Sequence, residues 1–252
     1  MRPKKHLGQH FLRDARALEM IADAARLSPT DTVLEVGPGD GALTALLLER
    51  AARVVAVEKD SRLILVLQKK FTTEIASGKL VLCNQDILDF SDYSLLTTHY
   101  KLVANIPYYI TGAFLKKFLQ TDTQPVSMTL LLQNEVAERI VAPNGKESIL
   151  SISVKCYGTP RMVGVVEAVA FEPPPAVDSA ILAIENISKE FFVGVSESTF
   201  FSLLKRGFSH PRKLLFRNLE VPVSVLLACG IAPNARAENV SLKEWGRLVL
   251  DA

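Results

Sequence analysis

The sequence predicts an α/β protein: a mainly parallel sheet with helices on both faces, followed by a small all-helical C-terminal domain. Three observations carry this. Short apolar runs alternate with amphipathic segments of helical length from Asp14 to Val141. The first such run leads straight into a glycine-rich turn, Gly37-Pro-Gly-Asp-Gly41. Past Asn186 the apolar runs stop and only helical periodicity remains. Alternation at this spacing builds parallel strands joined by crossover helices. The expected division is residues 1–185 and 186–252.

Asp14 to Leu27 reads as a helix, with Asp14 as its N-cap and Leu18, Ile21, Ala22 and Ala25 as its apolar stripe. Ser28-Pro-Thr-Asp31 breaks it. Thr32–Val36 is a buried strand, and a leucine-rich helix follows the glycine turn to Ala51. The strand 53–57 ends in Glu58. A helix over 61–71 then leads to the strand 80–83. Strands at 101–104 and 127–132 are followed by helices at 111–119 and 134–141. No crossover helix separates the strands at 161–166 and 179–184, which fits an antiparallel pair at one sheet edge. Helices are expected over 196–206, 212–219, 223–228 and 241–250.

The 252 residues suffice for one substantial core and a smaller satellite. A hydrophobic fraction of 48%, a charged fraction of 22% and a net charge of +2 are those of an ordinary globular protein. That balance neither demands nor excludes a polyanionic partner, so charge distribution matters more. Cys83, Cys156 and Cys229 are odd in number and far apart, which argues against a zinc site or a disulfide framework. The basic N-terminal stretch is followed by no apolar stretch of signal-peptide type, and no window reaches membrane-span length. The expectation is a cytoplasmic protein with no metal.

Gly37, Gly39 and Ala42 satisfy G-x-G-x-x-G/A between a strand and a helix, where sheets of this class bind ligands. Glu58 ends the next strand, 21 residues after Gly37. A carboxylate there accepts hydrogen bonds from both ribose hydroxyls. Asp86 follows the third strand, where it can accept from an adenine amino group while Ile87 packs on the ring. These features are shared by dinucleotide oxidoreductases and methyltransferases.

Asn105-Ile-Pro-Tyr108, after the fourth strand, resembles the [N/D]-P-P-Y-type motif of amino-methyltransferases. The amino nitrogen of adenine is a poor nucleophile because its lone pair is delocalised into the ring. Two acceptors, the Asn105 side-chain oxygen and a main-chain carbonyl such as that of Ile106, favour a more tetrahedral nitrogen. Positioning and preorganised dipoles then supply the acceleration. Pro107 rigidifies the turn, and Tyr108 offers a face for an extruded base.

With these motifs the chain, from about Lys4 to Asn218, resembles the ribosomal RNA adenine dimethyltransferases, the KsgA/Dim1 family. Gly8-Gln-His-Phe-Leu12 resembles its Q-x-F-L element, Glu35–Thr44 its glycine loop, and Val55–Asp60 its ribose-binding strand. Gln85-Asp86 resembles its adenine-binding acid. Phe171-Glu-Pro-Pro-Pro-Ala-Val-Asp-Ser179 resembles an element whose Phe faces the target base. Phe208–Leu219 resembles the basic stretch that opens its C-terminal domain. The resemblance implies a Rossmann-like class I fold and S-adenosylmethionine as cofactor. It implies cofactor contacts by His10, Leu12, Gly37, Gly39, Glu58, Asp86 and Asn105, and a target adenine between Tyr108 and Phe171. It further implies dimethylation of two adjacent adenosines in small-subunit ribosomal RNA, on an immature subunit; a monomer is the default expectation. Ala176 stands where the family commonly has a basic residue, and His210-Pro211 where a further arginine is usual before Arg212.

Lys205, Arg206, Arg212, Lys213 and Arg217 form a run of positive charge without an acidic residue, suited to phosphate contacts. Arg2, Lys4 and Lys5 add to it. Three rivals stay open at this point: a large-subunit RNA methyltransferase of antibiotic-resistance type, a ribosome-assembly factor without catalysis, and a nicotinamide-dependent oxidoreductase. The last leaves Asn105–Tyr108 and the basic run unexplained.

Overall fold

The structure is a computed structural model that describes residues 9–251. Arg2, Lys4, Lys5 and Gly8 of the sequence expectations lie outside the described residues. The chain divides into two compact units.

The first unit runs to Ala137 and resumes over Arg161–Ile187. It opens with the short strand β1 (Phe11–Leu12) and helix α1 (Ala15–Ala24). The Asp14 carboxylate caps α1 by accepting from the backbone N–H groups of Arg16 and Ala17, at 2.7 and 3.0 Å. The helix stops short of Leu27 because Arg26 turns into the left-handed region at φ 46°. The alternation follows in order: β2 (Thr32–Val36), α2 (Ala42–Arg50), β3 (Arg53–Glu58), α3 (Ser61–Lys70), α4 (Thr72–Ala76) and β4 (Leu80–Asn84). It continues with β5 (Tyr100–Asn105), α5 (Thr111–Gln120), β6 (Ser127–Gln133) and α6 (Asn134–Val141), the last of which crosses into the second unit.

The sheet order explains where a site can form. The remaining elements up to Glu185 are α7 (Ile149–Lys155), β7 (Thr159–Val166), β8 (Phe171–Glu172) and β9 (Ser179–Glu185). The seven-stranded sheet runs β4-β3-β2-β5-β6-β9-β7. Strands β2 to β6 are parallel, and β9 joins β6 antiparallel, with Met128 opposite Ile184 and Gln133 opposite Ser179. All five residues of β2 are buried, as a central strand covered on both faces requires. The chain builds outward from β2 to β4, then returns to lay β5 on the other side of β2. The crevice outside the carboxyl ends of β2 and β5 is the switch point at which such sheets bind ligands. β1 and β8 form a separate two-stranded antiparallel pair.

The second unit comprises Glu138–Pro160 and Ser188–Ala252. Its later helices are α8 (Glu197–Gly207), α9 (Leu215–Leu219), α10 (Val223–Ala228) and α11 (Leu242–Asp251). The division near 187 lies close to the expected boundary, but 138–160 groups with the C-terminal helices rather than with residues 1–185. The reason is packing: the Tyr157 ring sits 5.1 Å from that of Phe192, and its hydroxyl donates to Glu197 at 3.1 Å. The Glu147 N–H also donates to the Glu238 carbonyl, at 2.8 Å. Helix α9 begins at Leu215 rather than at Arg212. Asn218 donates to the carbonyls of Gly207 and His210, at 2.6 and 3.1 Å, and holds the intervening Pro211 segment as a loop.

Candidate active site

Four strand ends converge. β2, β3 and β5 finish level, with Val36 opposite both Val57 and Ala104, and Glu58 is opposite Asn84 of β4. The chain therefore delivers Gly37, Glu58, Asp86 and Asn105 to one edge.

Gly37 has φ +71°, and its N–H donates to the Val57 carbonyl at 3.0 Å. A Cβ at this position would stand 2.9 Å from the Asn105 carbonyl oxygen. A glycine is what lets the turn and the end of β5 approach this closely. Gly39, at φ +60°, lies beneath the Phe11 ring, which a Cβ would meet at 3.2 Å.

Glu58 is buried and aimed into this turn. Its carboxylate accepts from the Asp60 N–H at 2.8 Å and from the Gly39 N–H at 3.3 Å. Burial raises its pKa, and the backbone donors partly offset that. Asp86 is held differently. The Lys59 ammonium lies 2.7 Å from one carboxylate oxygen, and the other accepts from the Leu88 N–H at 2.9 Å. The hydrogen bond from Lys59 lowers the Asp86 pKa, so an ionised acceptor stands ready for an amino group.

On the other wall, the Asn105 amide faces the His10 carbonyl at 3.5 Å. Ile106 is buried, and Pro107 leads into a one-turn helix, Tyr108–Ile110. The half-buried Tyr108 has its hydroxyl 2.8 Å from that of Ser179, and its ring lies nearly parallel to His10, centroids 6.4 Å apart at 15°. Burial raises the Tyr108 pKa, so it stays a neutral phenol near neutral pH.

The segment 9–12 and the Phe171 segment prove to be one structure. Leu12 pairs with Phe171 across β1 and β8, the Arg13 N–H donates to the Ala170 carbonyl at 2.8 Å, and His10 Nδ1 lies 2.7 Å from the Pro173 carbonyl. Phe171 lines the cleft but is only 5% exposed, so most of its ring is packed within the protein.

His10, Leu12, Gly37, Gly39, Glu58, Asp86, Asn105, Pro107, Tyr108 and Phe171 therefore line a single cleft. It encloses about 1220 Å³ including the open solvent at its mouth. The glycine cradle, which a Cβ would fill, and the two carboxylates fit an adenosyl cofactor. Lys59 and Tyr109 also line the cleft and carried no signal of their own in the sequence. The five basic residues belong to the second unit. All are exposed, but Arg206 is partly used internally, donating to the Leu219 carbonyl, and Arg217 lies 5.6 Å from the Phe216 ring centroid. Among the described residues no cluster of His, Cys, Asp and Glu could hold a metal ion, and no helix is long and apolar enough to cross a membrane.

Comparison with known proteins extends this picture. The family profile described as ribosomal RNA adenine dimethylase matches residues 1–251. A protein named ribosomal RNA small subunit methyltransferase A from Dehalococcoides mccartyi (strain CBDB1) is 46% identical, covering 100% of this chain and 89% of the relative. A protein of the same name from Clostridium botulinum (strain Langeland) is 36% identical, over 97% of this chain and 92% of the relative. Among solved structures, a dimethyladenosine transferase from Plasmodium falciparum superposes with TM-score 0.83 at 27% identity, covering 96% of each chain. The 23S rRNA methyltransferase ErmE superposes with TM-score 0.78 at 26% identity, covering 96% of this chain and 98% of that one.

Proposed function

The chain belongs to the ribosomal RNA adenine dimethylase family, and from that premise we propose that it dimethylates N6 of two adjacent adenosines in small-subunit ribosomal RNA. The observation that carries the reading is the single cleft that joins the glycine turn and both carboxylates to Asn105–Tyr108. An oxidoreductase has no use for the second half of that arrangement. The 46% and 36% identical relatives carry a small-subunit name, which favours that target over the large-subunit RNA of the 26% identical ErmE.

S-adenosylmethionine, when bound, supplies a methyl group activated by its sulfonium. In our reading Glu58 takes its ribose hydroxyls, Asp86 and Ile87 its adenine, and Gly37 and Gly39 let the backbone come close. His10, Leu12 and Asn105 complete the contacts. The target adenine leaves its stack and enters against Tyr108, with Phe171 opposite. The Asn105 side-chain oxygen and the Ile106 carbonyl accept its two N–H bonds. The nitrogen lone pair would form the new N–C bond as the methyl carbon's bond to sulfur breaks, that electron pair staying on the now neutral sulfur, and the N–H proton would pass to solvent. The monomethylated base returns with one N–H donor and repeats the reaction. No Lewis acid is required, because the acceptors and the fixed geometry do the activating.

The basic residues Lys205, Arg206, Arg212, Lys213 and Arg217 contact phosphates in this reading, with Arg206 and Arg217 contributing least. The partner is an immature small subunit, in which adenosines are free to be extruded, met in the cytoplasm by one copy of the chain. The test is methyl transfer from labelled S-adenosylmethionine to undermethylated small subunits, with nucleoside analysis. Dimethyladenosine in small-subunit RNA, lost in Asn105→Ala, is the expected result. Methylation confined to large-subunit RNA, or unchanged turnover in Asn105→Ala, overturns it.

A further inference from the structure

Tyr109 is the only Phe, Tyr or Trp among the described residues that is exposed to solvent, at 66%. Every other aromatic ring is buried or half-buried. A large apolar ring left in water costs free energy unless something covers it. Its place is equally unusual. It lines the mouth of the cleft, next in sequence to Tyr108 on the same one-turn helix. Tyr108 is anchored by Ser179 and packed, while Tyr109 makes no ring contact with another aromatic side chain. Lys59 lines the same cleft and brings a positive charge to it.

We infer that Tyr109 is the stacking platform for the nucleotide next to the one being methylated, and so helps to select adjacent adenosines. This deepens the proposed function and rests on it. When one adenine is extruded against Tyr108, its covalent neighbour must lie within one nucleotide of the cleft mouth. A single-stranded base there exposes a π-face, and aromatic side chains on nucleic-acid-binding surfaces take such faces without reading their edges. Lys59, half-exposed at the same cleft, suits the intervening phosphate. Tyr109 is in this sense a positioning residue: it holds the strand, and Asn105 and Tyr108 hold the reacting base.

The test compares the full-length wild type with Tyr109→Ala and Tyr109→Phe on undermethylated small subunits. The readouts are kcat/KM for the subunit, cofactor affinity by calorimetry, and methyl groups on each adenosine by mass spectrometry of the nuclease fragment. Tyr109→Ala is expected to lose roughly tenfold in kcat/KM, mainly through KM for the subunit. It should also accumulate products methylated on only one of the two adenosines, with cofactor affinity unchanged. Tyr109→Phe keeps the ring and is expected to restore both. Unchanged kcat/KM in Tyr109→Ala overturns the inference. So does an equal loss of cofactor affinity, which would make Tyr109 a cover for the cofactor. Failure of Tyr109→Phe to rescue overturns stacking as the cause. A wild type that transfers no methyl to small subunits refutes the proposed function itself, whereas an active wild type with an equally active Tyr109→Ala refutes the stacking role alone.

Discussion

Lys59 and Asp86, residues from two successive strand ends, meet at 2.7 Å across the cleft. The contact keeps a carboxylate ionised at the place where an adenine amino group needs an acceptor. Lys59→Met is expected to weaken cofactor binding a few-fold at pH 7.5, and more at lower pH. The reason is that Asp86 now protonates nearer its ordinary value. Lys117 also lowers the Asp86 pKa and keeps part of the effect in place. Calorimetric titration of S-adenosylmethionine from about pH 3.5 to 8 checks this, the extra loss appearing only as pH falls below about 5 toward the ordinary aspartate value of 3.8, and an unaltered pH profile contradicts it.

Gly37→Ala tests the close approach of the glycine turn to β5. The new Cβ meets the Asn105 carbonyl at 2.9 Å in a backbone conformation that L side chains avoid. The expected cost is about 1–3 kcal/mol of stability. Cofactor affinity and turnover should fall together, because the same shift disturbs Asn105. Urea denaturation and calorimetry on the same preparation measure both.

Glu35 is fully buried, and neither of its carboxyl oxygens has a hydrogen-bond partner; Thr44 Oγ1 nearby is equally without one of good geometry. Burial pushes this carboxyl up to about 8 from an ordinary 4.5. Between those values the folded protein keeps a proton that the unfolded chain has released. Stability contributed at this site is therefore lost as pH rises from about 4.5 to about 8. Glu35→Gln should match the wild type near pH 4.5 and exceed it by several kcal/mol at pH 8.5. Urea midpoints across that range decide the matter, and parallel curves would refute it.

Replacing Lys205, Arg212 and Lys213 together by Glu removes the three cluster members that are not engaged within the protein as Arg206 and Arg217 are, by the Leu219 carbonyl and the Phe216 ring. Subunit binding should weaken, and the slope of log affinity against log salt should shrink by about 2–3. Cofactor affinity should not move. Filter binding between 50 and 200 mM salt measures the slope, and an unaltered slope would place the phosphate contacts elsewhere.

Much of this molecule was written in simple periodicities. The strands from Thr32 to Gln133 are apolar runs, buried except for most of β4 at the sheet edge, whose ends differ by a residue or so from those read off the sequence. The four ligand-facing strand ends follow from the rule that such sheets bind at their carboxyl edge. What escaped was short or non-periodic. β1 and β8 are two residues each and are specified by each other rather than by their own composition. Helix α7 is rich in Ile, Ser and Val, which do not favour helix, and it depends on a Ser148–Ser151 capping box and on tertiary packing. Lys59 and Tyr109 escaped because nothing in a single sequence distinguishes a lysine or tyrosine at a cleft mouth from one on any surface. Ala176 and His210 are both exposed, so the family departures at these positions subtract charge without disturbing a core.

The pairing of Leu12 with Phe171 joins two stretches of chain 159 positions apart. During synthesis, the glycine turn and its crossover helix can form early from local contacts. The roof over them must wait until nearly the whole first unit has left the ribosome. A premature stop before residue 171 would thus leave a recognisable nucleotide-type cradle that lacks its cover. Contacts of such long range are closed late, so the cleft is completed only after most of the parallel sheet beneath it.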